Sequence, residues 1–124
     1  MIYGEIQDSK EESSLEQIDR LFARAYPDKA EELSARFRMS FFRQAGDREN
    51  YAKAAIAYFK KYPSDDQEEL NETAWTFFRI TRDKKLLKQA VKWAKKSVKI
   101  DEGYYNMDTV AALYSKLKEM KKTI

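Results

Sequence analysis

Five residues punctuate this chain, and they bound what it can become. Gly4, Gly46 and Gly103 are its only glycines and Pro27 and Pro63 its only prolines, in 124 residues. Proline lacks the N–H that a helix interior needs, and glycine alone adopts positive φ without steric cost. Sharp reversals are therefore confined to few places, and the stretches between them are long enough for one or two helices each. Their content favours helix over strand, since the apolar residues are Ala, Leu and aromatics more than Val and Ile.

Local signals divide these stretches further. Ser13 or Ser14, three residues before Glu16 or Gln17, predicts a capping box and a helix to about Tyr26. Leu15, Ile18, Leu21, Phe22 and Ala25 share one face of it. After Pro27, Asp28 as N-cap with Glu31 predicts a second helix to about Ala45. Gly46–Asp47 turns the chain into a third helix, running to Tyr62 and ended by Pro63. Ser64 with Gln67 opens a fourth, to about Arg82, and Asp83 caps a fifth, to about Ile100. Past the break at DEGYYN, Asp108 or Asn106 opens a sixth towards Lys118. No strand is predicted, and only the head, MIYGEI, has no clear assignment. No apolar run reaches membrane-spanning length, and the N-terminus lacks a basic-then-apolar signal pattern.

The chain also repeats itself. A shift of 36 positions aligns Phe41 with Phe77, Phe42 with Phe78, Arg43 with Arg79, Asp47 with Asp83, Ala54 with Ala90 and Lys60 with Lys96. Each copy reads as a helix, an Asp-capped turn and a second helix. Helix pairs recurring at this period are the pattern of an α-solenoid, in which no pair buries its apolar face alone.

What is missing narrows the chemistry. There is no Cys and no His, which removes thiol chemistry, disulfides, Ser-His or Cys-His nucleophile pairs and ordinary zinc or haem sites. Three scattered glycines do not write a phosphate-cradling loop. Asp, Glu, Lys and Tyr remain, but the expected role is a binding or scaffolding module without a cofactor rather than an enzyme.

Residues 71–104 resemble a tetratricopeptide repeat. Phe77 and Phe78 take the close-packing sites of its first helix, Ala90 the small-residue site of its second, and Ala94 and Ser97 later packing positions. Phe78, Ala74 and Glu102 depart from the usual Gly or Ala, Trp and Pro. The resemblance implies repeats over 37–70 and 71–104 and an incomplete third over 105–124, preceded by helices over 13–26 and 28–45, all in one domain. Residues 70–124 are also similar to the helical C-terminal region of thioredoxin-like proteins from Bacteroidetes, through LNETAWTFFRITRDKKLLKQAVKWAKKSVKID and DTVAALYSKLKEMKKTI. That likeness implies a piece of a longer, extracytoplasmic protein, with a thioredoxin-like domain and its cysteines elsewhere in the parent chain.

Tetratricopeptide arrays hold extended peptides against their first helices, and the resemblance puts Arg36, Met39, Arg43, Trp75, Arg79, Arg82, Tyr105 and Lys116 there. A basic surface with aromatic and thioether contacts suits an acidic peptide or a C-terminal carboxylate. The alternative is that Trp75 and Met39 pack against an adjoining helix while the arginines are solvated. A second cluster is charge alone. At about 100° per residue, Lys84, Lys85, Lys88, Lys92, Lys95, Lys96 and Lys99 fall within roughly 120° of arc. Residues 84–124 hold eleven Lys and four acids, whereas residues 1–19 hold one Lys and six acids. Without Arg or stacking aromatics this stripe suits a solvated outer face better than nucleic acid, and the acidic head is a competing partner for it. An incomplete third repeat further predicts that Leu113, Leu117 and Met120 are partly exposed or paired with another copy.

Overall fold

The computed structural model describes the backbone of residues 2–122 and the side chains of residues 14–121. Six helices are present among the described residues, and no strand: α1 (Ile2–Ala25), α2 (Ala30–Ala45), α3 (Arg48–Lys61), α4 (Gln67–Ile80), α5 (Lys84–Ile100) and α6 (Tyr104–Lys122). They fall into two compact units, Met1–Tyr58 and Phe59–Ile124, divided within α3.

Several helix starts differ from the sequence expectation, each for a local reason. α1 begins at Ile2 and runs through Ser13 and Ser14 instead of opening there. Glu5, Gln7, Lys10, Glu11 and Glu12 are good helix formers, and nothing between Gly4 and Pro27 breaks a helix. The first residue of the apolar pattern is thus not the first residue of the helix. Asp28 does not cap α2. Lys29 holds that position, with no side-chain bond to the helix start. α4 is capped by Asp66 rather than Ser64: its Oδ1 accepts from the N–H of Glu68 (3.0 Å) and Glu69 (3.4 Å). Ser64 acts one step earlier, its Oγ accepting from Asp66 N (3.1 Å). α4 stops at Ile80, short of Arg82. α6 opens at Tyr104, ahead of both Asn106 and Asp108, because Gly103 supplies the carbonyl for its first bond, from Met107 N (3.2 Å). Asn106 then reaches back, its Oδ1 accepting from Gly103 N (2.9 Å), which is the returning half of a capping box.

In the first unit α1 and α2 pack together. Leu15 is buried, and Phe22 meets Phe37 edge-on with ring centres 6.4 Å apart, while Phe37 stacks on Phe41 at 6.3 Å. Leu21, expected on the buried face, is 59% exposed. Arg38 of α2 grips Asp19 of α1 with both terminal nitrogens, Nη1 donating to Oδ1 at 2.7 Å and Nη2 to Oδ2. This fork holds the Asp19 carboxyl below its ordinary pKa, against the opposing effect of burial; Ser34 adds a further hydrogen bond. α2 ends in a Schellman turn at Gly46 (φ 73°), where Gly46 N and Asp47 N donate to the carbonyls of Arg43 (3.3 Å) and Phe42 (3.0 Å). Asp47 then starts α3, accepting from Asn50 N at 3.2 Å.

In the second unit α4, α5 and α6 each pack against the other two. Leu70, Ala74, Phe77, Leu87, Ala90, Ala94 and Leu113 form the most deeply buried apolar set. Trp93 lies edge-on to both Phe77 (5.0 Å) and Phe59 (5.4 Å). Leu113 has no exposed surface, contrary to the expectation of an open third repeat, because α6 turns that position inward; Leu117 and Met120 are half-buried as expected. A polar knot joins the three helices at one end. Ser97 Oγ donates to the Gln67 carbonyl (2.7 Å) and accepts from Asn106 Nδ2 (3.2 Å), which also donates to the Asp101 carbonyl (2.7 Å). Ser97 and Asn106 are both buried, so these bonds replace water that the core excludes.

The 36-residue register survives in chemistry more than in geometry. Asp83 caps α5, its Oδ1 accepting from Lys85 N (2.8 Å) and Leu86 N (3.4 Å), as Asp47 caps α3. The turns before them differ: left-handed Gly46 in one, extended Thr81 (φ −132°) in the other. Phe77 is fully buried, while its counterpart Phe41 is half-buried.

Candidate interaction site

Helical spacing sets out the first part of the site. α4 buries Leu70, Thr73, Ala74 and Phe77, which places Trp75, Phe78 and Arg79 beside and beyond that stripe. Trp75 stacks on Phe78 with ring centres 4.8 Å apart and planes 18° from parallel. The pair does not sink into the core: Trp75 remains 41% exposed. A tryptophan held flat by a neighbour yet open to solvent is a pre-organised contact surface.

α6 supplies the cation. Lys116 Nζ lies 5.0 Å from the centre of the Phe78 ring and donates to the Phe78 carbonyl. That carbonyl belongs to the last turn of α4, where helical partners run out; Thr81 N takes the Phe77 carbonyl next to it (3.2 Å). Lys116 therefore caps α4 from another helix. Its burial, with the charge of Arg82 nearby, lowers its pKa from the usual lysine value. Arg79 and Arg82 are exposed, and neither has a carboxylate partner among the described residues. The result is an aromatic stack near three cations, none of them ion-paired among the described residues.

The remaining positions implied by the family resemblance lie elsewhere. Tyr105 sits at the start of α6 and is 84% exposed, eleven residues before Lys116. At about 1.5 Å rise per residue that separation is roughly 17 Å, so Tyr105 does not join the stack. Arg36, Met39 and Arg43 share one face of α2 in the first unit. There Arg36 lies 5.7 Å from the centre of the Tyr58 ring, Met39 is half-buried and Arg43 is exposed. Phe78 was legible only as a packing residue; its stacking follows from its position three after Trp75.

The lysine stripe is present on α5. Lys84, Lys85, Lys88, Lys92, Lys95 and Lys99 are exposed, and Leu87, Ala90, Val91, Trp93 and Ala94 are buried on the other side. Two of its members are engaged locally: Lys96 Nζ is 3.5 Å from Asp65 Oδ1, and Lys95 Nζ lies 5.2 Å from the Tyr114 ring centre. Among the described residues no group of acidic side chains is placed to hold a metal ion, and no helix is long and apolar enough to cross a membrane. Comparison with protein-family models, curated proteins and solved structures finds no match to this chain.

Proposed function

We propose that this chain is a protein–protein interaction module that takes an acidic, aromatic-bearing peptide segment on the Trp75–Phe78 stack. The observation that carries the reading is the exposed Trp75, held flat on Phe78 beside Lys116, Arg79 and Arg82, none of which is ion-paired with a carboxylate among the described residues. The stack supplies apolar contact at low entropic cost, because its rings are already ordered. Arg79 and Arg82 offer planar forks for carboxylates, and the ligand's charge relieves the repulsion between Arg82 and Lys116. The finer architecture belongs to the same proposal: a tetratricopeptide-like solenoid of antiparallel helix pairs. Its support is the 36-residue register, the matched helix caps Asp47 and Asp83, and three successive helices that each touch the other two. In this arrangement α4 and α6 are first helices of successive repeats, and the lysine face of α5 is the solvated outside.

Fluorescence anisotropy with labelled acidic peptides tests the reading. Trp75→Ala should weaken binding by about 30-fold, the effect of losing ~2 kcal/mol at a hot spot. Arg79→Ala and Arg82→Ala should each weaken it and flatten its salt dependence. Undiminished affinity in Trp75→Ala removes the proposal.

A further inference from the structure

The two ends of the second unit carry opposite charge. The bonds of Ser97 to the Gln67 carbonyl and to Asn106 gather the start of α4, the end of α5 and the start of α6. Asp65, Asp66, Glu68, Asp101, Glu102 and Asp108 lie at that end and outnumber its cations, Lys96, paired with Asp65, and Lys99 in the last turn of α5. Lys116 bonded to the Phe78 carbonyl gathers the end of α4 and the later part of α6 at the other, with Arg79, Arg82 and, at the start of α5, Lys84 and Lys85. Helix electrostatics explain only part of this segregation. Carboxylates at the start of α4 and Arg79 at its end complement that helix's dipole. Lys84 and Lys85, however, stand at the positive end of α5, where the N-cap Asp83 is the one acid against them.

The acidic end is also apolar where it protrudes. Tyr104 is 89% exposed, Tyr105 is 84%, and Ile100 and Met107 are exposed beside them. Asp101, Glu102 and Asp108 make no ion pair among the described residues. This segment has the composition that the Trp75–Phe78 patch selects, and it lies at the other end of α6 from Lys116, with Tyr105 roughly 17 Å from it along the helix. We propose that the Ile100–Asp108 segment of one chain docks on the Trp75–Phe78–Lys116 patch of a second copy, so that chains associate head to tail. The inference rests on the patch reading given above and names its occupant. Asp101 and Glu102 meet Arg79 and Arg82, and the paired tyrosines cover the exposed indole. Such a contact uses different surfaces on its two partners, so every pair retains one free segment and one free patch, and growth continues into rings or filaments.

Sedimentation of the full chain tests this. At ~50 mM salt the average mass should climb above the single-chain 14.7 kDa as concentration rises, and ~500 mM salt should return it there. Tyr104→Ser with Tyr105→Ser removes the segment's contacts, and Arg79→Glu with Arg82→Glu reverses the patch; all four positions are exposed. Each double variant alone should be monomeric. Their equimolar mixture should give a discrete species of twice the single-chain mass, because one intact segment meets one intact patch and nothing remains to continue. A wild-type chain that stays monomeric at ~0.5 mM overturns the inference, since even a Kd of about 1 mM would be visible there. So does tyrosine-variant behaviour identical to wild type. A labelled peptide of residues 99–109 separates the two levels of argument. If it binds the chain and loses at least tenfold in affinity to Arg79→Glu/Arg82→Glu while the chain remains monomeric, head-to-tail assembly fails and the patch reading stands. If neither this peptide nor other acidic aromatic peptides bind, both fail together.

Discussion

Replacing Asn106 by Ala should be among the most damaging single changes in the second unit. The side chain is 2% exposed and makes three hydrogen bonds: Nδ2 to the Asp101 carbonyl and Ser97 Oγ, and Oδ1 from Gly103 N. A typical intramolecular hydrogen bond contributes about 1 kcal/mol net, and stranding a buried partner costs more. Water can reach Gly103 and Asp101, which are exposed residues, and Ser97 keeps its bond to the Gln67 carbonyl (2.7 Å). These offsets bring the expected loss to about 2–3 kcal/mol. Both tryptophans, Trp75 and Trp93, lie in this unit, so urea unfolding followed by their fluorescence reports on it directly. With a urea slope of ~1–2 kcal/mol/M for a small unit, the midpoint should fall by roughly 1–3 M. Ser97→Ala in the same assay completes a double-mutant cycle, and the pair should couple by about 0.5–1 kcal/mol because they share a bond. A midpoint shift below ~0.3 M, or additivity within about 0.3 kcal/mol, would refute the knot as a source of stability.

Three further outcomes follow from local geometry. Gly46→Ala should cost about 1 kcal/mol, because its φ of 73° burdens any Cβ although no atom lies within 4 Å of one, whereas Gly103→Ser, at an N-cap without positive φ, should be neutral or slightly stabilising; chemical denaturation compares the two. Asp19→Asn should remove at most ~1 kcal/mol, since the Asp19–Arg38 pair is about one-third exposed and screened by solvent. Asp19's folded pKa lies below its unfolded value, so the pair's contribution is complete above pH ~4 and is lost as pH falls through the depressed folded value; wild type should therefore lose more stability on acidification than Asp19→Asn. Lys116→Met keeps the stem but removes the donor to the Phe78 carbonyl, and should lower stability by about 1 kcal/mol in urea titration.

Particular residues show what the sequence makes legible. Asp83 was readable as a cap because an Asp just ahead of a long amphipathic run has few other roles, and α5 begins as expected. Asp28 looked equally persuasive and does not cap, since the two residues after Pro27 are taken up by the turn before α2. The incomplete repeat singles out Leu113, Leu117 and Met120 but does not tell what covers them, and Leu113 is buried against expectation. The resemblance points to Trp75 and Lys116 but carries no sign of the contact between Phe78 and Lys116. That contact depends on how α4 and α6 are packed, which no local pattern encodes. The Ser97–Asn106 bond was hidden for the same reason: each residue looked like local packing or capping until the ends of two helices met.

The polar bonds at the two ends of α4 have a mechanical consequence. Apolar side chains tolerate a small slide of one helix past another, because oily surfaces re-engage one notch along. α4 is pinned through the carbonyl of Gln67 at its start and that of Phe78 near its finish. Any axial slip that preserves one pin breaks the other. Such a helix behaves like a shaft running between two bearings, with no end play, and Trp75 is mounted on it at a fixed height above whatever it meets.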